Sequence, residues 1–197
     1  MSPASPLANI AKAMPATKGV AFVNGKAFVE ANYGLAAWHN VLAKLARDDR
    51  DIVESASAVG WYDLMIFARM LRAIDQVCGV GDLSLLPKIG ISDVERDFNR
   101  TIRVIVRILS PDQIFKMSTR LWGQFQSAGV WTHRTASQGK GIDSTLAGWG
   151  PDRALCLELT GYVKRLLELT GARDVTVLHD QCRGLGHANC VFNVRWR

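Results

Sequence analysis

The sequence predicts an α+β domain: a mainly helical part over residues 18–128, then a strand–strand–helix–strand–strand unit over residues 129–197. The strands form a four-stranded antiparallel sheet with helices packed against it. Three observations predict this. Apolar residues recur every three or four positions in several windows before residue 128. After Gly129 the period drops to two. The alternating runs come in pairs joined by Gly-rich connections, as hairpins require. The chain has 197 residues, 48% of them hydrophobic and 21% charged, which suits one packed core and excludes a disordered tail.

Residues 1–17, rich in Ala, Pro and Ser, are expected to form a flexible leader. They lack the charged start and long apolar core of a signal peptide. No apolar run is long enough to cross a bilayer, so the expected location is cytoplasmic. The net charge of +6 is scattered along the chain, and without a basic block no specific nucleic-acid binding is expected.

Lys18-Gly-Val-Ala-Phe-Val23 is a short apolar segment, either a strand or the approach to a first helix, followed by an Asn24-Gly25 turn signal. Leu35, Trp38, Val41, Leu42 and Leu45 mark a helix. Leu64, Phe67, Ala68, Leu71, Ile74 and Val77 mark a more apolar and central one, read from Trp61 to Val77 and stopped by Gly79 and Gly81. Cys78 ends that face as a free thiol.

Pro87 interrupts a shorter turn of helix. Ser92-Asp-Val-Glu95 has the form of a capping box, opening a helix that runs to about Leu109. Its Arg96, Arg100, Arg103 and Arg107 form a basic stripe, a solvated face or a surface for an anionic partner. Ser110-Pro111-Asp112 starts the next helix, with Ile114, Met117, Leu121 and Phe125 on its apolar face. Val130–Thr135 and Gly141–Trp149 alternate as strands. Pro151-Asp152 opens a helix carrying Leu155, Leu159, Tyr162, Val163 and Leu166, and Cys156 lies in its first turns. The last two strands are Val175–His179 and Val191–Trp196.

Between those strands the chain reads His179-Asp-Gln-Cys182-Arg-Gly-Leu-Gly-His-Ala-Asn-Cys190. Gly184 and Gly186 permit the reversal, which brings Cys182 and Cys190 together at the mouth of a hairpin. Three thiols and an imidazole are a donor set that suits zinc. Buried unreactive thiols, or a Cys182–Cys190 disulfide, satisfy the same spacing. His179 stands an odd number of residues before Cys182, so a regular strand would point the two side chains to opposite faces. Convergence therefore demands a bulge near Asp180.

The segment Cys182-Arg-Gly-Leu-Gly-His-Ala-Asn-Cys190, with His179 and Cys156 before it, resembles the end of a vinyl-4-reductase (4VR) domain. That family includes the sensor domains of phenol-responsive bacterial activators, and it is related in fold to haem nitric-oxide-binding domains and to Bet3-type subunits of the TRAPP tethering complex. The resemblance implies a structural zinc held by Cys156, Cys182 and Cys190, with His179 where the family has an acidic ligand. More diffuse matches, among them Lys18-Gly-Val-Ala-Phe, Ile108-Leu-Ser-Pro111 and Ser127-Ala-Gly129, resemble a myxobacterial paralogous family defined by sequence alone. That likeness implies a fold and no activity.

Nucleophile elbows, phosphate loops and HExxH helices are absent. His133 and His187 have no orienting carboxylate nearby in sequence, and the porphyrin clamp of the related haem sensors is not found. The expectation is therefore a non-enzymatic, zinc-stabilised module for sensing or regulation. Its apolar pocket would be lined by Phe125, Trp131, Trp149 and Tyr162, all of which are equally good core residues, and would hold a hydrophobic small molecule. The alternative is an interaction scaffold, acting as a homodimer or with a regulatory protein and without a small ligand.

Overall fold

The computed structural model describes residues 14–98, 100–137 and 139–197, without the side chains of residues 100–102. Most of the predicted leader therefore lies outside the described residues, as do the side chains of Arg100 and Ile102 and the position of Gln138.

Strand β1 (Ala16–Lys18) pairs antiparallel with β2 (Trp61–Asp63), so Ala16 and Thr17 belong to the folded domain. Helices α1 (Val20–Tyr33), α2 (Leu35–Lys44) and α3 (Arg47–Ser55) lie between these strands in sequence, and α4 (Leu64–Cys78) follows β2. Helix α4 begins three residues later than its apolar pattern implied. Asp63 caps it by accepting from the Met65 amide at 2.7 Å. Leu64, Met70, Leu71 and Ile74 are fully buried, and each such side chain contributes roughly 1.5–3 kcal/mol of transfer free energy.

Two expectations in the helical part are corrected. Asn24-Gly25 is not a turn; it lies inside α1 and is buried. A Cβ on Gly25 would sit 2.6 Å from the Met70 methyl, so the glycine serves close packing of α1 on α4. Ser92 caps nothing. Helix α5 runs from Leu86 to Asp97 with Pro87 in its first turn, where the missing amide costs no hydrogen bond. The chain breaks at Phe98 before α6 (Arg100–Arg107), so the arginine stripe is divided between two helices. Arg96 donates to the Ala27 carbonyl, while Arg103 bonds the Phe98 carbonyl and pairs with Glu95. Helix α7 (Pro111–Phe125) has the expected start, a reciprocal capping box between Ser110 and Gln113.

Strands β3 (Val130–Thr135), β4 (Lys140–Ala147), β5 (Thr176–Gln181) and β6 (Cys190–Trp196) form the antiparallel sheet in the order β3-β4-β6-β5. Helix α8 (Arg153–Leu169) connects its two hairpins. Cys190, Phe192, Val194 and Trp196 alternate inward along β6. This is the α+β architecture the sequence predicted, with helices against the sheet.

Helix α8 has two close neighbours. Its N-cap Asp152 accepts from the Ala154 amide and takes both Arg72 nitrogens from α4, at 3.0 and 2.8 Å. Against α5 the approach is backbone to backbone: a Cβ on Gly161 would lie 1.8 Å from the Pro87 carbonyl oxygen, and one on Gly90 2.0 Å from that of Glu158. Only hydrogen fits at either position.

Candidate metal centre and adjoining cavity

The four donors predicted from the sequence converge. One ligand atom each from Cys156, His179, Cys182 and Cys190 lies within 4.8 Å of the others. Cys156 comes from the first turn of α8, His179 from β5, Cys182 from the residue after β5, and Cys190 from the start of β6.

Convergence depends on the demanded irregularity. His179 pairs with Phe192 and Gln181 with Val191, leaving Asp180 as a surplus residue in β5. The extra residue rotates the strand so that imidazole and thiol fall on one side. The His179 ring stacks on Phe192, centroids 4.7 Å apart. A 3-10 turn (Arg183–Leu185) and Gly186, at φ 91°, reverse the chain. Gly184 lies so close to α8 that a Cβ would come within 2.6 Å of the Arg153 amide nitrogen.

The Cys156 and Cys190 sulfurs are 3.4 Å apart and those of Cys182 and Cys156 3.9 Å. A disulfide requires about 2.05 Å, and all three cysteines are free. A tetrahedron of 2.3 Å zinc–sulfur bonds has edges of about 3.8 Å. All three thiols are buried, and His179 Nε2 is buried without a hydrogen-bond partner. A buried nitrogen without a hydrogen-bond partner beside three clustered sulfurs is what a set of four metal donors looks like.

The thiols of the cluster are shifted in opposite directions. The Cys190 thiol is pulled down to about 4, foremost by the hydrogen bond from Cys156, with His179 and the Arg183 amide assisting. The Cys156 thiol is pushed up by donating that bond and by burial. The residues present fit zinc. They would complete a closed four-coordinate site, whose chemistry is to tie α8 to the terminal hairpin, with no position left for a substrate. His187 is not in the set; its Nδ1 lies 3.1 Å from the Cys182 carbonyl. His133 packs edge-on against Phe115.

Beside this centre, among α1, α5, α7, α8 and the sheet, is a cavity of about 470 Å³, a volume typical of small-molecule sites. Phe125, Trp131, Trp149 and Tyr162 all line it. Trp122, unremarked in the sequence, joins them and contacts both Trp131 and Trp149 edge-on. Helix α7 forms a loosely packed wall: Met117, Leu121 and Phe125 border the cavity yet remain 38–48% exposed.

The cavity also holds a polar group that sequence reasoning missed. Asp93 and Asp97 on α5 and Glu158 and Tyr162 on α8 face it together where the two helices cross. A signal existed: Glu158 is one turn from Leu155 and Tyr162, on the apolar side of its helix. Burial pushes the Asp93 carboxyl well up, with Glu158 and Asp97 adding repulsion. Burial likewise raises Asp97 and Tyr162.

No protein-family model matches the chain, and no curated protein matches it. Solved structures do. The chain is similar to an H-NOX protein from S. oneidensis in the Fe(II)NO ligation state, with a TM-score of 0.70 and 14% identity, over 91% of this chain and 99% of that one. Unliganded Fe(II) H-NOX from K. algicida aligns with a TM-score of 0.66 at 12% identity, over 91% and 96%. H-NOX from Shewanella woodyi, bound to IWP-051 in the Fe(II)CO state, aligns with a TM-score of 0.53 at 14% identity, over 90% and 93%. At these identities the shared property is the fold.

Haem, which kinship with haem nitric-oxide-binding domains would imply, does not fit this cavity. No histidine or arginine lines it among the described residues. Lys18, which does, donates to the Val59 carbonyl at 3.0 Å and lies over the Trp61 ring. The carboxyl groups of Asp93, Asp97 and Glu158 would repel a porphyrin's propionates.

Proposed function

We propose that this chain is a non-enzymatic sensing domain of the 4VR type, in which a structural zinc on Cys156, His179, Cys182 and Cys190 braces the wall of a small-molecule cavity. The observation that carries the reading is the double role of α8: Cys156 stands in its first turn, while Leu159, Tyr162 and Val163 of the same helix line the cavity. An occupant that displaces α8 acts on a helix anchored at one end, and the free faces around it pass the change to a regulatory partner or a second copy. The H-NOX likeness supports a ligand-holding architecture, and the donor chemistry supports zinc over haem. Among the described residues no helix is long and apolar enough to cross a membrane.

The test has two parts. Metal analysis of the purified chain is expected to give one zinc per chain, lost together with most of the stability in Cys182→Ser, because metal binding and folding are linked. Titration with 2-phenylethanol, an uncharged aromatic probe, is expected to give saturable, one-to-one quenching of tryptophan fluorescence, since Trp122, Trp131 and Trp149 border the cavity. Val163→Trp, which fills the space, should abolish it. Metal-free wild-type protein of full stability would remove the zinc, and absence of saturable binding of this alcohol and of its amine analogue alike would remove the sensor.

A further inference from the structure

Among the acids of the cavity, Asp93 lies against the Glu158 carboxyl and still keeps one buried oxygen without a hydrogen-bond partner. Asp93 is 4% exposed and its Oδ1 has no hydrogen-bond partner. Such an atom, buried against an apolar space, costs about 1–3 kcal/mol unless something donates to it. Asp97 Oδ1 accepts from Asn24 Nδ2 at 2.9 Å, and its Oδ2 accepts a longer bond from the Tyr162 hydroxyl at 3.4 Å. Both donors are neutral. Among the described side chains, Arg96 donates to the Ala27 carbonyl and acts on Asp93 only through space, while Arg103 and Arg165 pair with Glu95.

The remaining walls are aromatic and aliphatic. The Trp122 ring stands edge to face with those of Trp131 and Trp149, and aromatic faces attract organic cations as well as apolar groups. Three acids on one side, aromatic faces on the other and, among the described side chains lining it, no cation but Lys18, which is bonded to the Val59 carbonyl, define one ligand chemistry. We propose that the cavity selects an organic ammonium with an aromatic or aliphatic body, its N–H groups donating to Asp93 and Asp97 and its body lying against the tryptophans. This deepens the sensing role proposed above and depends on it. It also distinguishes this cavity from one for a neutral phenol or an anionic porphyrin, because Asp93 Oδ1 calls for a donor and the neighbouring acids call for positive charge. A cation there would offset the burial, and the repulsion from Glu158 and Asp97, that raise the Asp93 carboxyl.

The test is calorimetric titration of the full purified chain with 2-phenylethylamine, 2-phenylethanol and 3-phenylpropionate at neutral pH and fixed ionic strength. The ammonium is expected to bind at least tenfold more tightly than the alcohol, and the carboxylate not measurably. Asp93→Asn should bring amine and alcohol within about threefold. Asp97→Asn is the second variant should the first fail to fold, and the same loss of preference is expected. Equal binding of amine and alcohol, or a preference that survives both substitutions, overturns the ammonium assignment and leaves the sensor intact. Failure of amine and alcohol alike overturns the sensor too.

Discussion

The two ends of α8 solve opposite problems. At its start the side chains are packed sulfur to sulfur, the turn carrying Gly184 presses on the helix backbone, and the one unpartnered atom, His179 Nε2, points at a cluster that a single ion would satisfy. One to two turns further on, the helix faces a hollow whose carboxyl groups lack full partners and whose outer wall, α7, is half exposed. Polar groups are buried in both places. The first gathers soft donors at bonding distance and becomes a fixed point. The second spreads hard acceptors around a space large enough for a small molecule.

Substitutions at the boundary should sharpen that contrast. The largest effect is expected from Gly161→Ala, where the new methyl would meet the Pro87 carbonyl at 1.8 Å and force α5 away from α8. A loss of about 2–4 kcal/mol in denaturant unfolding is expected, along with loss of probe binding, because the crossing positions Asp93 against Glu158. Unchanged stability would mean that the helices are not locked there.

At the metal end, His179→Ala should leave a folded protein whose zinc is removed by a chromogenic chelator at least tenfold more readily. His179→Asp should recover much of the difference, since a carboxylate also ligates zinc. Equal zinc retention in all three proteins would show that the imidazole is not a ligand.

The smallest effect lies at the cavity and concerns pH. The folded Asp93 carboxyl is raised above its unfolded value, so the folded state holds that proton more tightly than the unfolded state. Stability is then greatest below the unfolded value of about 4 and is lost as pH rises through the raised folded value. Asp93→Asn cannot ionise. Relative to wild type it should gain roughly 1–3 kcal/mol as the pH of urea unfolding is raised from 5 to 9. A constant difference between the two proteins across that range would contradict the buried ionisation.

Legibility in the sequence followed the rarity of the chemistry. Cysteine and histidine are uncommon enough that Cys156, His179, Cys182 and Cys190 stood out, and the odd spacing even required the irregularity found at Asp180. The four strands of the larger sheet and most of α4 were legible because their apolar residues are periodic, whereas β1 and β2 were too short to show a period. Helix α1 was hidden by Asn24-Gly25, a pair with strong turn chemistry that here serves a close helix crossing. Short, polar α3 carries only Asp49 and Val53 as buried residues, too few to set a period. The boundary between α5 and α6 was misplaced because Ser92 and Glu95 imitate a cap inside a continuing helix. Asp93, Asp97 and Glu158 escaped notice because acids on helices are ordinary; only the contact of Gly90 with α8 turns them inward, and that is a property of two segments seventy residues apart.

The surplus residue in β5 shows how little separates a working centre from a scatter of thiols. A chain one residue shorter at Asp180 would keep every donor atom in its composition. Its imidazole would nonetheless look out from the far side of the sheet, and three sulfurs would be left to share whatever ion arrived. Inventory alone does not make the grip; it depends on which way a ribbon is turned by a single added peptide unit.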